Sequence, residues 1–306
     1  MCDQDDDGSH IGGLILNFID HFWPGLMDRT LRMSIFRTPL VKVGTQSFYS
    51  TPEYEAWAAT AAPHKAKYFK GLGTSSSADA KQYFSNLDTH LIPLMCGADG
   101  RDALDLAFRR SRASDRRVWS ANPAPDAGLV IARSVHEYVH KQMILYVKSS
   151  IERAICALGT DGLKPSQRKV LYTALSKNIL SDVKVAQFGA AAAEFTDYHH
   201  GEQSLYGTII KMCQTFVGSN NMNLLEPKGQ LGTRLMGGKD AASPRYVFTH
   251  LSEAARVLFP RADDDLLRRV VSDGHVVEPE TYAPIVPMGL VNCLLYTSDA
   301  ADEERG

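Results

Sequence analysis

Apolar residues recur near the start of the chain with the spacing of one face of an α-helix. The positions i, i+3, i+4, i+7, i+8 and i+11 are occupied by Ile11, Leu14, Ile15, Phe18, Ile19 and Phe22. This spacing predicts an amphipathic helix that begins directly after Gly8 and buries its apolar face. Pro24 and Gly25 then predict a break.

The pattern up to residue 121 alternates short extended runs with helices, which predicts a mixed α/β region. Extended segments are predicted over residues 33–43, 47–50 and 65–69, with a bend or sheet edge at Pro39. A helix is predicted to start at Thr51-Pro52-Glu53, with the Thr51 hydroxyl as its cap. A serine-capped helix through Phe84 comes next, and then a basic helical stretch that contains Arg109, Arg110, Arg112, Arg116 and Arg117.

A proline- and glycine-rich stretch, residues 122–128, is the best linker in the chain. Beyond it the pattern becomes helical, with helices predicted over 135–150, 166–176, 183–195 and 202–216. The short turn between the last two helices allows a helix-turn-helix. The next 30 residues read as a looped, basic wing, because they contain Gly218, Gly229, Gly232, Gly237, Gly238, Arg234, Lys239 and Arg245.

Composition narrows the classes of protein only moderately. A length of 306 residues suits two domains or one large one. The net charge of −2 does not exclude DNA binding, since a local basic face is sufficient. The five cysteines are scattered without a CxxC pair, which indicates a reducing compartment and no structural zinc. We find no apolar run long enough for a membrane span and no secretory signal.

Asp3, Asp5 and Asp7 stand at alternate positions and are followed by Gly8. Such a group of carboxylates can converge on a hard divalent cation. A calcium EF-hand loop that starts at Asp3 needs a glutamate at its twelfth position, where this chain has Leu14. A magnesium site on a turn before a helix is the favoured interpretation, and a solvated acidic turn is the alternative. Because no strand precedes the motif, we expect the chain to be a piece of a longer protein.

Several cationic motifs are candidates for phosphate contacts. Lys164, Arg168 and Lys169 stand at a predicted helix start, where phosphate binding and a solvated basic turn are both possible. The turn from Lys70 to Thr74 lacks the P-loop spacing, so it is either a backbone approach to phosphate or a simple tight turn.

Adjacent histidines, His199 and His200, precede the last predicted helix. They would point to different faces, and no third ligand lies at metal spacing, so zinc is disfavoured. A phosphate contact or a proton-transfer role is one interpretation. A capping or core histidine is the other.

Tyr246 follows Arg245 at the end of the basic segment. A phenol with a pKa of about 10 is a weak nucleophile. It becomes an effective nucleophile where cations stabilise the phenolate, or where a metal ion positions the phosphate under attack. On these residues alone, the favoured interpretation is a strand tyrosine packed in the core, with Val247 and Phe248 continuing the strand.

Taken together, these motifs occur in an order and spacing that resemble one family, over about residues 1–292. They resemble the DNA cleavage core of eukaryotic-type type II DNA topoisomerases. The blocks that carry the resemblance are residues 3–11, 68–74, 161–169, 198–202 and 232–246.

The resemblance implies a role for each candidate residue. Asp3 and Asp5 would be direct magnesium ligands, with Asp7 in support, and Tyr246 would attack DNA and become joined to its 5′ phosphate. The residues implied to flank the scissile phosphate are Arg245, Arg168 and His200. Further DNA-binding residues would be Lys70, Lys164, Lys169, His199, Arg234 and Lys239.

The implied fold is α/β, a partial TOPRIM domain of the parallel-sheet type, followed by a mainly α winged-helix domain. The expected domains are the C-terminal part of TOPRIM with a basic helical extension at 1–121, a linker at 122–134, and the winged-helix domain at 135–292. Double-stranded DNA and a second copy of the chain are the implied partners, in the nucleus, with Mg²⁺ as a cofactor. ATP would be used by a region outside this chain.

The chain departs from the family pattern in three places. The Glu-Gly-Asp motif that precedes the aspartates in the family is absent. One extra residue lies near Gly159, and residues 293–306 resemble translated cloning sequence instead of the family's glycine-rich continuation. Two alternatives therefore stay open, a non-catalytic winged-helix DNA-binding module and a TOPRIM nuclease or primase. A nuclease or primase does not need a tyrosine nucleophile.

Overall fold

The computed structural model describes residues 2–3, 5–29, 33–62, 64–69, 71–122, 132–157, 159–272 and 274–292. The chain divides into two compact units, residues 1–150 and 151–306. The division falls after Ser150, later than the linker expected at 122–134. Most of that linker, together with Lys70 and the expected non-native tail at 293–306, lies outside the described residues.

The first unit combines helices with short strands. Its helices are α1 (Asp6–Phe22), α2 (Pro24–Arg29), α3 (Thr51–Ala58), α4 (Ser77–Ser85), α5 (Leu87–His90), α6 (Ala98–Phe108), α7 (Ala113–Ala121), α8 (Val135–Glu137) and the start of α9 (Ile144–Ala154). Its strands are β1 (Met33–Phe36), β2 (Val41–Val43), β3 (Gln46–Phe48), β4 (Lys67–Tyr68) and β5 (Leu91–Leu94). Between α8 and α9 the chain forms a π-helix, Tyr138–Met143, where a single α-helix was expected.

The strands of the first unit pair in antiparallel fashion. β1 pairs with β5, and β2 lies between β3 and β4. In the described part of the chain, parallel pairing is limited to the bridge between Met95 and Ser134. The expected parallel sheet is therefore not found there. The predicted extended run at 33–43 is instead two strands, interrupted around Pro39.

Helix caps shift two predicted boundaries. α1 begins at Asp6, earlier than expected, because the Asp5 carboxylate accepts the Gly8 N–H at 2.7 Å. α3 begins at Thr51, but its capping hydroxyl is that of Ser50, which accepts the Glu53 N–H at 3.3 Å.

The face of α1 that was expected to be buried is exposed within this unit. Its large apolar residues are 44–58% exposed: Ile11, Leu14, Ile15, Phe18 and Phe22. The helix packs instead through its glycines against the π-helix. A Cβ atom at Gly12 would lie 2.3 Å from the Tyr138 hydroxyl, and one at Gly13 would lie 2.4 Å from Met143 Sδ. The close approach of these two helices therefore depends on the absence of a side chain at Gly12 and at Gly13.

Gly12→Ala should destabilise the first unit even though alanine favours helix formation. The added methyl group collides with Tyr138, which is buried and donates from its hydroxyl to Ser9 O at 2.6 Å. We expect a net loss of about 1–2 kcal/mol from overpacking.

Urea unfolding followed by tryptophan fluorescence measures this loss, because Trp23, Trp57 and Trp119 all lie in the first unit. Gly25→Ala is the matched control, since nothing lies within 4 Å of a Cβ there. Equal effects of the two substitutions would contradict the packing argument.

The second unit contains a helical cluster and two small antiparallel sheets. Its elements after α9 are α10 (Pro165–Ser176), β6 (Val183–Lys184), α11 (Val185–Phe195), α12 (Glu202–Cys213), β7 (Leu225–Lys228), β8 (Phe248–Leu251), α13 (Glu253–Leu258), β9 (Arg269–Ser272), β10 (His275–Pro279) and α14 (Met288–Val291). β8 lies between β6 and β7, and β9 pairs with β10. The helix expected from Val183 thus starts two residues late, and the one expected to reach Phe216 ends at Cys213.

One core holds α10, α11, α12 and the β6-β8-β7 sheet together. Its fully buried members include Val170, Leu171, Phe188, Leu205, Ile209 and Leu225. The turn between α11 and α12 is short, and Asp197 adopts φ +46° in it. This arrangement fixes the ends of β7 and β8, between which the glycine-rich segment runs.

A buried carboxylate connects three segments of this unit. Asp161 is fully buried and accepts four hydrogen bonds. Two come from Arg168, from Nε at 2.7 Å and from Nη2 at 3.0 Å. The others come from the backbone N–H groups of Leu163, at 3.0 Å, and Tyr282, at 2.9 Å. The burial of this ion pair is tolerable because its polar atoms are satisfied.

Asp161→Asn should destabilise the second unit by roughly 3–5 kcal/mol, because it leaves the Arg168 guanidinium buried without its counter-charge. Hydrogen exchange of the α10–α12 amides in increasing urea measures this loss. The exposed Asp265→Asn is the control and should change stability by less than about 0.5 kcal/mol. The double variant Asp161→Leu with Arg168→Met should recover most of the loss. A single substitution that costs no more than the control would rule out the ion pair as a structural centre.

Candidate nucleic-acid interface

The connection between β7 and β8, residues 229–247, is called the basic loop below. Gly232 (φ +104°) and Gly238 (φ +81°) approach so closely that a Cβ at Gly232 would lie 2.6 Å from Gly238 Cα. The Gln214 side chain donates to Leu231 O at 2.9 Å, next to this contact. This hydrogen bond holds the base of the basic loop against the end of α12.

Asp240 holds the other side of the basic loop. Its two carboxylate oxygens accept from the Thr233 N–H at 2.8 Å and the Thr233 hydroxyl at 2.7 Å. These bonds lower the pKa of the Asp240 carboxyl below its ordinary value. The loop thus keeps a fixed shape although its tip projects into solvent.

Tyr246 lies at the end of the basic loop and is 71% exposed. Its N–H donates to Ser243 O at 2.8 Å in a turn, and the next residue, Val247, is buried. The expectation of a core tyrosine is therefore wrong. The guanidinium carbon of Arg245 lies 5.7 Å from the centre of the Tyr246 ring. The hydroxyl is accessible to a large substrate and stands beside a cation.

The cations of the basic loop are all exposed. Arg234, Lys239 and Arg245 belong to the same 19-residue connection as Tyr246. Exposed cations that are shared by one loop form a positive surface suited to the phosphates of nucleic acid.

The cations at the start of α10 are placed differently. Arg168 is held by Asp161, and Lys169 Nζ pairs with Glu278 Oε1 at 2.7 Å and donates to Thr196 O at 2.8 Å. Lys164 is also buried. The alternative of a solvated basic turn is therefore wrong for these three residues. Their predicted contacts with phosphate stay predictions.

The two histidines lie on the turn between α11 and α12. Both His199 and His200 are exposed, and the His200 ring meets the Tyr198 ring edge-on, with centroids 5.4 Å apart. The N-cap position of α12 is Gly201. The core interpretation of these histidines is wrong, and contacts with phosphate or a proton-transfer role stay predictions.

The acidic turn of the first unit lies against the turn that contains Gly71. A Cβ at Gly71 would lie 3.3 Å from Asp3 Oδ1, and one at Gly8 would lie 2.0 Å from Asp3 O. Both glycines let the chain fold closely around Asp3. Two motifs separated by more than 60 residues of sequence, the acidic turn and the Gly71 turn, are thus brought together.

The fit of the acidic turn to magnesium is partial. Carboxylate oxygens are suitable ligands, and Asp3 and Asp5 both lie around Gly8. Asp7 lies close enough to His10 for its charge to oppose the lowering of the His10 pKa that burial causes. Among the described residues, no group of three or more His, Cys, Asp or Glu side chains is arranged to hold a metal ion.

Each of the two units matches a family of known proteins. Residues 36–151 match the family model of the C-terminal associated domain of TOPRIM, and residues 153–294 match that of the A subunit of DNA gyrase/topoisomerase IV. The chain is 48% identical to rat DNA topoisomerase 2-alpha and 47% identical to the human protein, each over 95% of this chain. The DNA-binding, cleavage and re-ligation domain of Plasmodium falciparum topoisomerase II aligns with a TM-score of 0.81 and 44% identity. That alignment covers 95% of this chain and 41% of the other.

The chain belongs to the eukaryotic-type type II DNA topoisomerase family. It spans about a fifth of the length of its mammalian topoisomerase 2 relatives. The mixed helix and strand architecture is that of a topoisomerase II cleavage core. Within the part of the chain that the structure describes, no helix has the length and apolar character needed to cross a membrane.

Two residues that shape the site, Asp161 and Gln214, are not among the candidates that the motifs pointed to. Asp161 forms a buried ion pair with Arg168, and the Gln214 side chain donates a hydrogen bond to the basic loop at Leu231 O. A signal for Asp161 was present, because it is an acid seven residues before Arg168 at a helix start. No local pattern points to Gln214, whose partners are Leu231 and Gly238.

Two substitutions separate the capping role of Asp5 from its proposed role as a metal ligand. Asp5→Ala should cost about 1 kcal/mol of stability through the lost cap, whereas Asp5→Asn should cost little because asparagine is also a good N-cap. Both should weaken magnesium binding, which we expect at about millimolar affinity, comparable to loose oxygen-ligand sites. Calorimetry with Mg²⁺ and unfolding followed by tryptophan fluorescence measure the two effects. Unchanged magnesium binding in Asp5→Asn would remove Asp5 from the ligands.

Proposed function

We propose that this chain supplies the DNA cleavage and religation core of an ATP-dependent type II DNA topoisomerase. In that reaction one duplex passes through a transient double-strand break in another. The observation that carries the proposal is the exposed Tyr246 on a cationic loop. The high identity to topoisomerase 2 over 95% of the chain supports it.

The second unit is proposed to be the winged-helix domain. Three helices, α10, α11 and α12, pack on the three-stranded β6-β8-β7 sheet, and the basic loop joins two of its strands. In such a domain the last helix of the pair enters a groove and the loop contacts the backbone. The proposed TOPRIM assignment concerns residues 1–121 of the first unit, which include the basic helical extension.

The proposed chemistry is a transesterification. The Tyr246 oxygen forms a bond with phosphorus while the bond from phosphorus to the sugar 3′ oxygen breaks. The phenol proton leaves Tyr246 and the 3′ oxygen gains a proton, so no oxidant or water is consumed. The phosphotyrosine keeps the energy of the broken bond. The reverse step can therefore reseal the strand.

Arg245 is proposed to stabilise the phenolate and the attacked phosphate, because it lies beside the Tyr246 ring. Arg168 and His200 are proposed to flank the scissile phosphate. The pair with Asp161 would then position the Arg168 guanidinium, which has five N–H donors. The remaining proposed DNA contacts are those of Lys70, Lys164, Lys169, His199, Arg234 and Lys239.

Magnesium is the proposed cofactor of the acidic turn, with Asp3 and Asp5 as ligands and Asp7 in support. When bound, it would supply positive charge to the attacked phosphate and the leaving oxygen. The tyrosine of one protomer is proposed to act with the acidic turn of a second copy, in a nuclear homodimer. ATP would be used by a part of the protein outside this chain.

A DNA-binding module without cleavage is the second candidate for the chain on its own. The observation that favours it is the exposure of Arg234, Lys239 and Arg245, which can contact phosphates without any metal. The chain alone should then bind duplex DNA with steep salt dependence and leave it intact.

Tyr246→Phe should abolish covalent attachment to DNA with little change in DNA affinity, because only one hydroxyl is lost. The test replaces the matching segment of human topoisomerase 2-alpha with this chain. A detergent-trapped adduct at the 5′ end of the broken strand, formed with Mg²⁺, is then measured.

The control is Tyr206→Phe, which removes a hydroxyl bonded to Glu202 at 2.6 Å and should leave the adduct unchanged. An adduct that persists in Tyr246→Phe would place the nucleophile elsewhere. A chimera that binds DNA but never forms an adduct would favour the non-catalytic module.

A further inference from the structure

Two histidines lie side by side where the first unit changes from α-helical to π-helical winding. His136 belongs to α8, and His140 belongs to the π-helix Tyr138–Met143. Their ring centres are 4.4 Å apart, with an angle of 42° between the ring planes. Side chains four residues apart lie on the same side of a helix, so the backbone itself keeps this pair together.

The distance between the two rings suits a shared metal ion. Bonds from zinc to an imidazole nitrogen are about 2.0–2.1 Å long, so two imidazoles on one ion, at an angle of roughly 90–110°, have ring centres about 4.5–5.2 Å apart. The observed 4.4 Å differs from this range by no more than a small side-chain rotation.

The ring nitrogens of both histidines are available as ligands. In the part of the chain that the structure describes, no hydrogen bond joins either ring to another group. Burial, followed by the charge of a protonated His136, lowers the pKa of His140, and the Asp102 carboxylate on α6 opposes this. A lowered pKa favours the neutral imidazole, which is the form that binds metals.

A buried tryptophan borders the pair. The Trp119 ring meets the His140 ring edge-on, with centroids 6.0 Å apart and an angle of 84°. Its Nε1–H is buried and has no hydrogen-bond acceptor among the described residues. An ion held by two imidazoles keeps water in its other positions, and an ordered water next to the indole gives this donor an acceptor. Trp119 is thus an independent sign of a small polar ligand beside the histidines.

We propose that His136 and His140 bind a divalent transition-metal ion of the class that prefers imidazole, such as zinc, nickel or copper. Water completes the coordination shell, because no group of three or more metal-ligating side chains is found among the described residues. The site therefore differs from a structural zinc site, which has four protein ligands. It also differs from the magnesium site proposed at the acidic turn, where oxygen ligands select harder ions.

The bound ion strengthens the surface against which α1 packs. It links α8 to the π-helix, and Tyr138, which lies between the two ligands in sequence, contacts Gly12 of α1 and donates to Ser9 O. Because only the folded chain holds the two rings together, the ion stabilises the first unit, and more so as its concentration rises. This effect requires neither DNA nor Tyr246, so it does not rest on the proposed function.

The test uses the full chain in excess Mg²⁺, which occupies oxygen sites, and adds either Zn²⁺ or Ni²⁺ alone. Competition with a chromogenic chelator measures Zn²⁺ affinity, and tryptophan fluorescence reports Ni²⁺, which quenches a neighbouring indole. We expect saturable Zn²⁺ binding and quenching limited to about a third of the signal, the share of one tryptophan in three. Zn²⁺ should also raise the urea midpoint of the first unit.

His136→Gln and His140→Gln should each weaken Zn²⁺ binding at least about tenfold, since the loss of an outer-shell partner alone costs that much. Both should also remove the shift of the urea midpoint. Trp119→Phe should keep Zn²⁺ binding but lose the quenching by Ni²⁺, because the indole is not a ligand. The matched control is His21→Gln, which removes an exposed histidine of the same unit and should leave Zn²⁺ binding unchanged.

His140→Cys separates a ligand from a packing residue, because cysteine also binds zinc but has a different shape. Restored Zn²⁺ binding in this variant supports the site, whereas binding as weak as in His140→Gln overturns it. Equal Zn²⁺ affinity in the unaltered chain and in both glutamine variants means adventitious binding elsewhere and overturns the proposal. Quenching by Ni²⁺ that persists in Trp119→Phe places the ion away from this pair and also overturns it.

Discussion

The ion pair between Asp161 and Arg168 is the constraint on which the second unit depends. A carboxylate buried away from water is tolerable only when every lone pair has a donor, and Asp161 finds its donors in three segments of the chain. Those segments therefore become ordered together. Because α10, which carries Arg168, shares one core with α12, the position of Gln214 at the end of α12 follows from the same constraint. The shape of the basic loop is thus linked to a buried charge.

The cations of the second unit divide into two groups with different physical behaviour. Arg168 and Lys169 are paired and largely buried, where salt screens their interactions only weakly. Arg234, Lys239 and Arg245 are exposed and can exchange counterions for phosphates. Salt should therefore act on the encounter with DNA without loosening the framework that presents the loop. Such a separation suits the proposed role of holding DNA and later releasing it.

Periodicity predicted most of the helices, but it could not say what covers their apolar faces. The spacing from Ile11 to Phe22 correctly gave a helix, yet the packed side is that of Gly12 and Gly13. Their contacts, Tyr138 and Met143, lie more than 120 residues away in sequence, beyond any local pattern. The buried state of Lys169 was hidden for the same reason, since Glu278 comes from a distant hairpin. Residue types at the site were readable from the motifs, whereas the burial of Lys169 was not.

The exposure of Tyr246 follows from a local rule that the sequence does contain. Side chains of a strand alternate between its two faces, and Val247, Thr249 and Leu251 are all buried in the core. The positions between them, Phe248 and His250, are only partly buried. Tyr246 lies in the turn that leads into this strand, and its side chain faces outward like those of Phe248 and His250. The pairing of Thr249 with Val183 and Pro227 fixes this register. A shift of one residue would turn the hydroxyl into the core, so the same apolar contacts that stabilise the sheet also keep the proposed nucleophile in solvent.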